Sequence, residues 1–155
     1  MSTVSIPEAA IASILTNLFG RNVDAAMAQA VKPHDATVRG LVTNENQLVA
    51  VIASDLEFAH RSGAALAMIP AGSVENKGAS PDADLLDFYR EVANVLSRLV
   101  DEATPMRVRL DPAIEHAPES LNTIVTEGSL ISACETTISG YGTGNIGVWY
   151  RNPTE

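Results

Sequence analysis

Residues 80–103, SPDADLLDFYREVANVLSRLVDEA, carry the strongest helical pattern in the chain. Ser80 suits an N-cap, Pro81 the first helical position, and Asp82 and Asp84 the first turn, where the partial positive charge of a helix start favours carboxylates. Leu85, Phe88, Val92, Leu96 and Leu99 then recur at three- and four-residue intervals and predict one apolar face, with the helix ending near Ala103. The rest of the chain has to supply something for that face to cover.

Upstream, Ser5 and Glu8 have capping-box spacing, and Ile11, Ile14, Leu15, Leu18 and Phe19 predict an amphipathic helix that stops at Gly20. Val23 to Val31 mixes helix-favouring alanines with a period of two and is read as a strand. Thr37 to Thr43 and Gln47 to Ala53, separated by Asn44-Glu45-Asn46, form the clearest hairpin. Ser54 with Glu57 gives a second capping-box signal for a helix running toward Met68, with Gly63 placed to allow close packing and Pro70 ending it.

Ala71 to Ser80 reads as the longest loop. After the long helix, Met106 to Leu110, Ser132 to Ser139 and Asn145 to Arg151 read as strands. This order predicts an α+β fold: a largely antiparallel sheet with its helices on one face.

The chain has 155 residues, enough for one domain with a substantial core, and its 46% apolar content excludes disorder through low hydrophobicity. Its net charge of -9 would repel nucleic acid and anionic lipid. No run of residues predicts membrane insertion, so the expected setting is cytoplasmic. Cys134 is the single cysteine and is expected to pack as a small apolar residue. His34, His60 and His116 are far apart and predict no metal site.

Gly142-Thr143-Gly144-Asn145-Ile146-Gly147 matches the glycine pattern of dinucleotide sites. Such sites need a helix immediately afterwards to present its amides to a pyrophosphate, whereas Val148-Trp149-Tyr150 reads as strand. The glycines are read as a hairpin turn instead. The long helix holds a different constellation. Asp87, Glu91, Asn94 and Arg98 are spaced four, three and four, which makes one narrow stripe opposite the apolar face. The plain reading of that stripe is a solvated helix face, with Glu91 paired to a nearby cation at i, i+4 spacing. Asn94 is its odd member, because asparagine is a mediocre helix former.

Asp87-x-x-x-Glu91-x-x-Asn94 resembles the Asp/Ser-x3-Glu-x2-Asn signature of the CheC/CheX/FliY-type chemotaxis phosphatases, which dephosphorylate the response regulator CheY. The order of elements resembles a single CheX-like domain over residues 1–155, with one long motif-bearing helix. Leu110-Asp111-Pro112 resembles the downstream tail of the motif, and Pro112 and Pro118 are both candidates for the family's proline. Glu119 and Asn122 repeat the Glu-x-x-Asn spacing in a stretch read as loop, and the first helix lacks the glutamate, so a single-site, CheX-like pattern matches better. Where many members carry glycine, four positions beyond the asparagine, this chain has Arg98.

The resemblance implies hydrolysis of an aspartyl phosphate on a CheY-like receiver domain. Asn94 would orient the attacking water, Glu91 would reach a lysine of the partner, and Asp87 and Arg98 would border the contact. It implies no cofactor held by this chain, with Mg2+ supplied by the phosphorylated partner, and it leaves a homodimer open. Two other readings stand beside it. One is a non-catalytic CheX-like adaptor for a receiver or motor-switch protein, with Arg98 filling the space a phosphoryl group needs. The other is a small-molecule-binding α+β domain whose helix stripe is solvated surface.

Overall fold

The computed structural model describes residues 4–28, 31–75, 81–111 and 118–152. Among these residues, six strands form one sheet: β1 (Val23–Met27), β2 (Arg39–Val42), β3 (Leu48–Ser54), β4 (Arg109–Leu110), β5 (Ser129–Ile138) and β6 (Gly142–Tyr150). Their spatial order is β1-β5-β6-β3-β2-β4, and every pairing is antiparallel. The helices are α1 (Glu8–Phe19), α2 (Leu56–Ala67), α3 (Ala71–Glu75), α4 (Ala83–Ala103) and α5 (Pro118–Glu127), with a 3-10 turn at Asp35–Thr37. The α+β class and the antiparallel sheet are those expected; of the Val23 to Val31 segment, Val23–Met27 is strand, Ala28 and Val31 are not, and 29 and 30 lie outside the described residues.

Alternation along the central strands explains the layers. Ile52 on β3 and Val148 on β6 join Leu15 of α1, Phe58 of α2 and Val92 and Leu96 of α4 in the main core. Their neighbours Val51, Ala53 and Trp149 point the other way and pack with Ile124, Leu121 and Val125 of α5. One face therefore carries α1, α2 and α4, as expected, while α5 covers part of the opposite face. Sequence reading placed a loop there. Pro118 opens the helix, and the 121, 124, 125 spacing supplies its buried side.

All three helix starts differ from their expected caps. Pro7 is the N-cap of α1, in extended conformation and with no side-chain bond, so Ser5 and Glu8 form no capping box. Ser54 is still in β3, opposite Ile146, and the cap of α2 is Asp55, whose Oδ1 accepts from the Phe58 amide at 2.8 Å. For α4 the cap is Asp82, accepting from the Leu85 amide at 3.0 Å, and Pro81 precedes the helix; Ser80 lies outside the described residues. In the latter two cases a carboxylate directly before the first turn accepts the helix amide.

Three further readings need correction. Ala71–Glu75 is a short helix, and 76–80 lie outside the described residues. Of the Met106 to Leu110 run only Arg109 and Leu110 pair, because the approach is held otherwise: Thr104 Oγ1 donates to Met106 O, and the Val108 amide donates to Asp101. The 142–147 glycines lie within β6, and the hairpin turn is at Ser139–Tyr141, closed by the Tyr141 amide on Ile138 O at 2.8 Å. These glycines are followed by strand rather than by the helix start that a pyrophosphate site of that pattern uses.

Among the described residues, no helix is long and apolar enough to cross a membrane. Cys134 is buried, and burial pushes its thiol pKa up.

The helices α2 and α4 meet at Gly63. A Cβ there would run into the Leu85 carbonyl oxygen, so only glycine lets the backbones of α2 and α4 meet. Gly63→Ala is expected to force the helices apart and destabilise the protein by about 1–2 kcal/mol, overpacking outweighing the helix-propensity gain of alanine. A urea titration should show a lower midpoint with an unchanged slope.

Candidate functional site on the long helix

The rotation of α4 about its axis decides which residues reach solvent. Leu85, Tyr89, Val92, Leu96 and Val100 are buried against the sheet and α2. Tyr89 is fully buried, and Phe88, expected in the apolar face, is 39% exposed. Tyr89 takes the inward place because its phenol finds partners there. Its hydroxyl donates to Thr37 O at 3.2 Å, and its ring meets Phe58 edge-on at 6.3 Å and 82°. Thr37 is itself tied to β3, donating to Ser54 O at 2.5 Å and accepting from the Ser54 amide at 3.2 Å.

With the helix so oriented, Asp87, Glu91, Asn94 and Arg98 are all exposed. They share one outward stripe, Glu91 and Asn94 on adjacent turns with Cβ atoms about 5–6 Å apart by helix geometry. Among the described residues, no hydrogen bond or ion pair engages the side chains of Glu91, Asn94 or Arg98. The cation expected to pair with Glu91 at helix spacing does not do so. Asn94 takes part only through its carbonyl, which accepts from Ser97 Oγ at 2.5 Å. An amide and a carboxylate are thus presented together, with their bonding capacity left for an outside molecule.

Sequence reading missed the two flanks of the stripe. On one side Arg39 of β2 lies within electrostatic reach of Arg90 and Asp87; burial, with Arg90 adding to it, holds its pKa below the usual guanidinium range. Arg39 donates through its Nη1 to Val38 O at 3.0 Å, and its buried Nε has no partner among the described residues. On the other side stands Phe88. A signal for Phe88 was present, since Tyr89 fits the 85, 92, 96 series as well as Phe88 does.

Glu119 and Asn122 require a correction too. They lie on α5, so helical context does not separate the two Glu-x-x-Asn copies. What separates them is position: α5 packs on the far face of the sheet from α4. Asn122 is exposed. Of the two candidate prolines, Pro118 begins α5, and Pro112 lies outside the described residues.

Among the described residues, no three His, Cys, Asp or Glu side chains gather in a way that could hold a metal ion. His60 Nε2 accepts from the Asp82 amide and His34 Nδ1 from the Ala36 amide, both local structural roles, while His116 lies outside the described residues.

No family model matches the sequence, and no curated protein matches it. Solved structures do match in fold. The FliM middle domain from Vibrio alginolyticus aligns with a TM-score of 0.59 at 10% identity, over 91% of this chain and 88% of that one. FliY from Thermotoga maritima aligns at 0.51 and 14% identity, over 91% and 82%. A FliM from H. pylori, crystallised in a FliM-SpeE complex, aligns at 0.53 and 13% identity, over 93% and 81%. The fold is therefore the one the FliY-type resemblance implied, shared by FliM and FliY alike. These likenesses do not favour the CheX-like subtype.

Tyr89 makes the orientation of α4 testable by pH. Burial pushes its phenol pKa up to about 12, whereas an unfolded chain releases that proton near 10. Between those values the unfolded state binds fewer protons, so stability falls as pH rises, by about 1.4 kcal/mol per unit from this group. Tyr89→Phe is expected to lack this component. Urea midpoints of both proteins at pH 9.5 and 11.5 should diverge accordingly, the wild type losing more.

Proposed function

We propose that this chain hydrolyses the aspartyl phosphate of a CheY-like receiver domain, using Asn94 and Glu91 on the outward stripe of α4. The reading is supported by one observation above all: an unengaged amide and an unengaged carboxylate stand together, exposed, on a helix whose rotation is held by buried contacts. The likeness in fold to FliY is a second support.

The chemistry asks little of this chain. An acyl phosphate is already activated, so no nucleophilic side chain is needed. Water attacks phosphorus, the bond to the partner's aspartyl oxygen breaks, the carboxylate leaves with the electron pair, and the water's proton passes to phosphate or solvent. The work is positioning. The Asn94 carbonyl accepts a hydrogen bond from that water, and its NH2 donates to a phosphoryl oxygen, with no titration step of its own. Glu91 pairs with a cation beside the partner's phosphorylated aspartate and sets the register of docking. Asp87 and Arg98 border the contact. The Mg2+ that neutralises phosphoryl charge belongs to the partner.

A second reading has specific support. Arg98 lies one turn beyond Asn94 on the same stripe, long enough to occupy the phosphoryl space, and a FliM of this fold was crystallised in a protein complex. An adaptor would dock a receiver or motor-switch protein through the same stripe without hydrolysis.

Asn94→Ala is expected to lower phosphate release from a receiver phosphorylated with acetyl phosphate by on the order of 10²-fold, with the circular dichroism spectrum unchanged. Equal release by mutant and wild type excludes Asn94 as the water-positioning group. If the wild type binds the receiver and releases nothing, the adaptor reading holds. Glu91→Lys is expected to raise KM more than it lowers kcat, and added salt should weaken docking of the wild type more than of the mutant.

A further inference from the structure

The chain has three Phe, three Tyr and one Trp, all among the described residues. Phe58, Tyr89, Trp149 and Tyr150 are buried in the apolar clusters, and Phe19 and Tyr141 pack against them. Phe88 belongs to none and is 39% exposed. Outside those clusters, about two-fifths of its surface faces solvent, an apolar area that the core formed by the described residues does not use.

Its surroundings are specific. Asp84 is four residues before Phe88 and Glu91 three after, so both are its neighbours on the helix surface, and both are exposed. Val95, seven residues on, extends the apolar line; it is partly exposed and likewise outside the apolar clusters. Asp87 lies three residues from Asp84 and four from Glu91, so the three carboxylates stand on neighbouring turns. Like charges at that spacing destabilise an isolated helix. An exposed ring bordered by carboxylates complements a surface with an apolar recess edged by cations, and it repels anionic polymers and lipid surfaces.

We propose that Phe88 is the apolar anchor by which the receiver-domain partner docks on α4, inserting into a recess whose rim carries the cation that meets Glu91. This rests on the proposed function, since it names what holds the partner while Asn94 acts. Interfaces of this kind concentrate affinity in one desolvated aromatic and leave neighbouring charges to set orientation and encounter rate. Phe88 is one helical turn from Glu91, so anchor and register fall within one contact.

The test uses the full chain and a purified receiver domain, phosphorylated with acetyl phosphate for turnover and treated with beryllofluoride for binding. Phe88→Ala is expected to raise KM and Kd about tenfold with kcat within about twofold of wild type, and Phe88→Leu to restore most of the affinity. The thermal midpoint of Phe88→Ala is measured alongside, so that a change in affinity is read on folded protein. An unchanged Kd for Phe88→Ala, while Asn94→Ala still abolishes release, overturns the anchor and leaves the proposed function standing. A wild type that neither binds nor dephosphorylates the receiver overturns both. A wild type that self-associates in sedimentation, with Phe88→Ala monomeric and equally active, assigns the ring to a second copy of this chain and also overturns the proposal.

Discussion

The close approach of α2 and α4 at Gly63 is the constraint on which the outward face of the molecule depends. Without a side chain at 63, the carbonyl of Leu85 can sit against the neighbouring helix, and the start of α4 is fixed there. One turn later the buried Tyr89 hydroxyl ties the same helix to the backbone at Thr37, beside β2 and β3. Two anchors about one turn apart, one steric and one polar, leave α4 little freedom to roll. A roll of one residue, about 100°, would carry Asn94 toward the core and bring Leu99 or Val95 outward. The stripe is a consequence of what is buried behind it.

That buried side is in turn held by the sheet. The central strands β6 and β3 are covered on both faces, which is why Val51 and Ala53 alternate with Ala50 and Ile52 without a polar residue between them. Such a strand gives no amphipathic signal. Gly144 serves the same end from the other direction: a Cβ there would stand 2.5 Å from Phe58 Cα, so its absence lets the first turn of α2 rest directly on β6. Asp55 joins the two elements, capping α2 with one carboxylate oxygen and accepting from the backbone amide and side chain of Asn145 with the other.

Much of this was legible from residue order. The amphipathic repeat of the long helix, the Asn44-Glu45-Asn46 reversal and the glycine stop at Gly20 depend on short-range preferences, and each appears where those preferences put it. The outward stripe followed from spacing alone. The errors share a different origin. Carboxylates at Asp55 and Asp82 displaced the serines expected as caps, because the competition between adjacent acceptors depends on where the preceding strand or loop ends. The helix α5 went unseen because its Thr and Val residues have β preference, and only contact with Trp149 and Val51 gives its apolar side a purpose. Phe88 and Tyr89 were exchanged because periodicity tolerates either, while a phenol with a buried acceptor within reach favours Tyr89. Each miss required a tertiary partner that no local window contains.

Arg98 gives the stripe its ambiguity and also its physical interest. Its side chain is long enough to swing about the helix surface, and with no partner among the described residues it need not stay over Asn94. Beside a bare helix face that freedom is solvated and costs nothing. Against a docked protein it must resolve in one of two ways: the guanidinium meets an anionic group on the partner and is held there, or it stays between the helix and the partner and keeps water from the phosphorus. On the proposed hydrolytic reading the first would add a cation to a phosphoryl group that needs charge neutralisation; on the adaptor reading the second would make the same surface a clamp. The fold and the Glu91-Asn94 pair are identical in both cases. Between the two proposed readings, hydrolysis or adhesion, the difference would therefore come down to where the exposed Arg98 charge is placed when a partner docks.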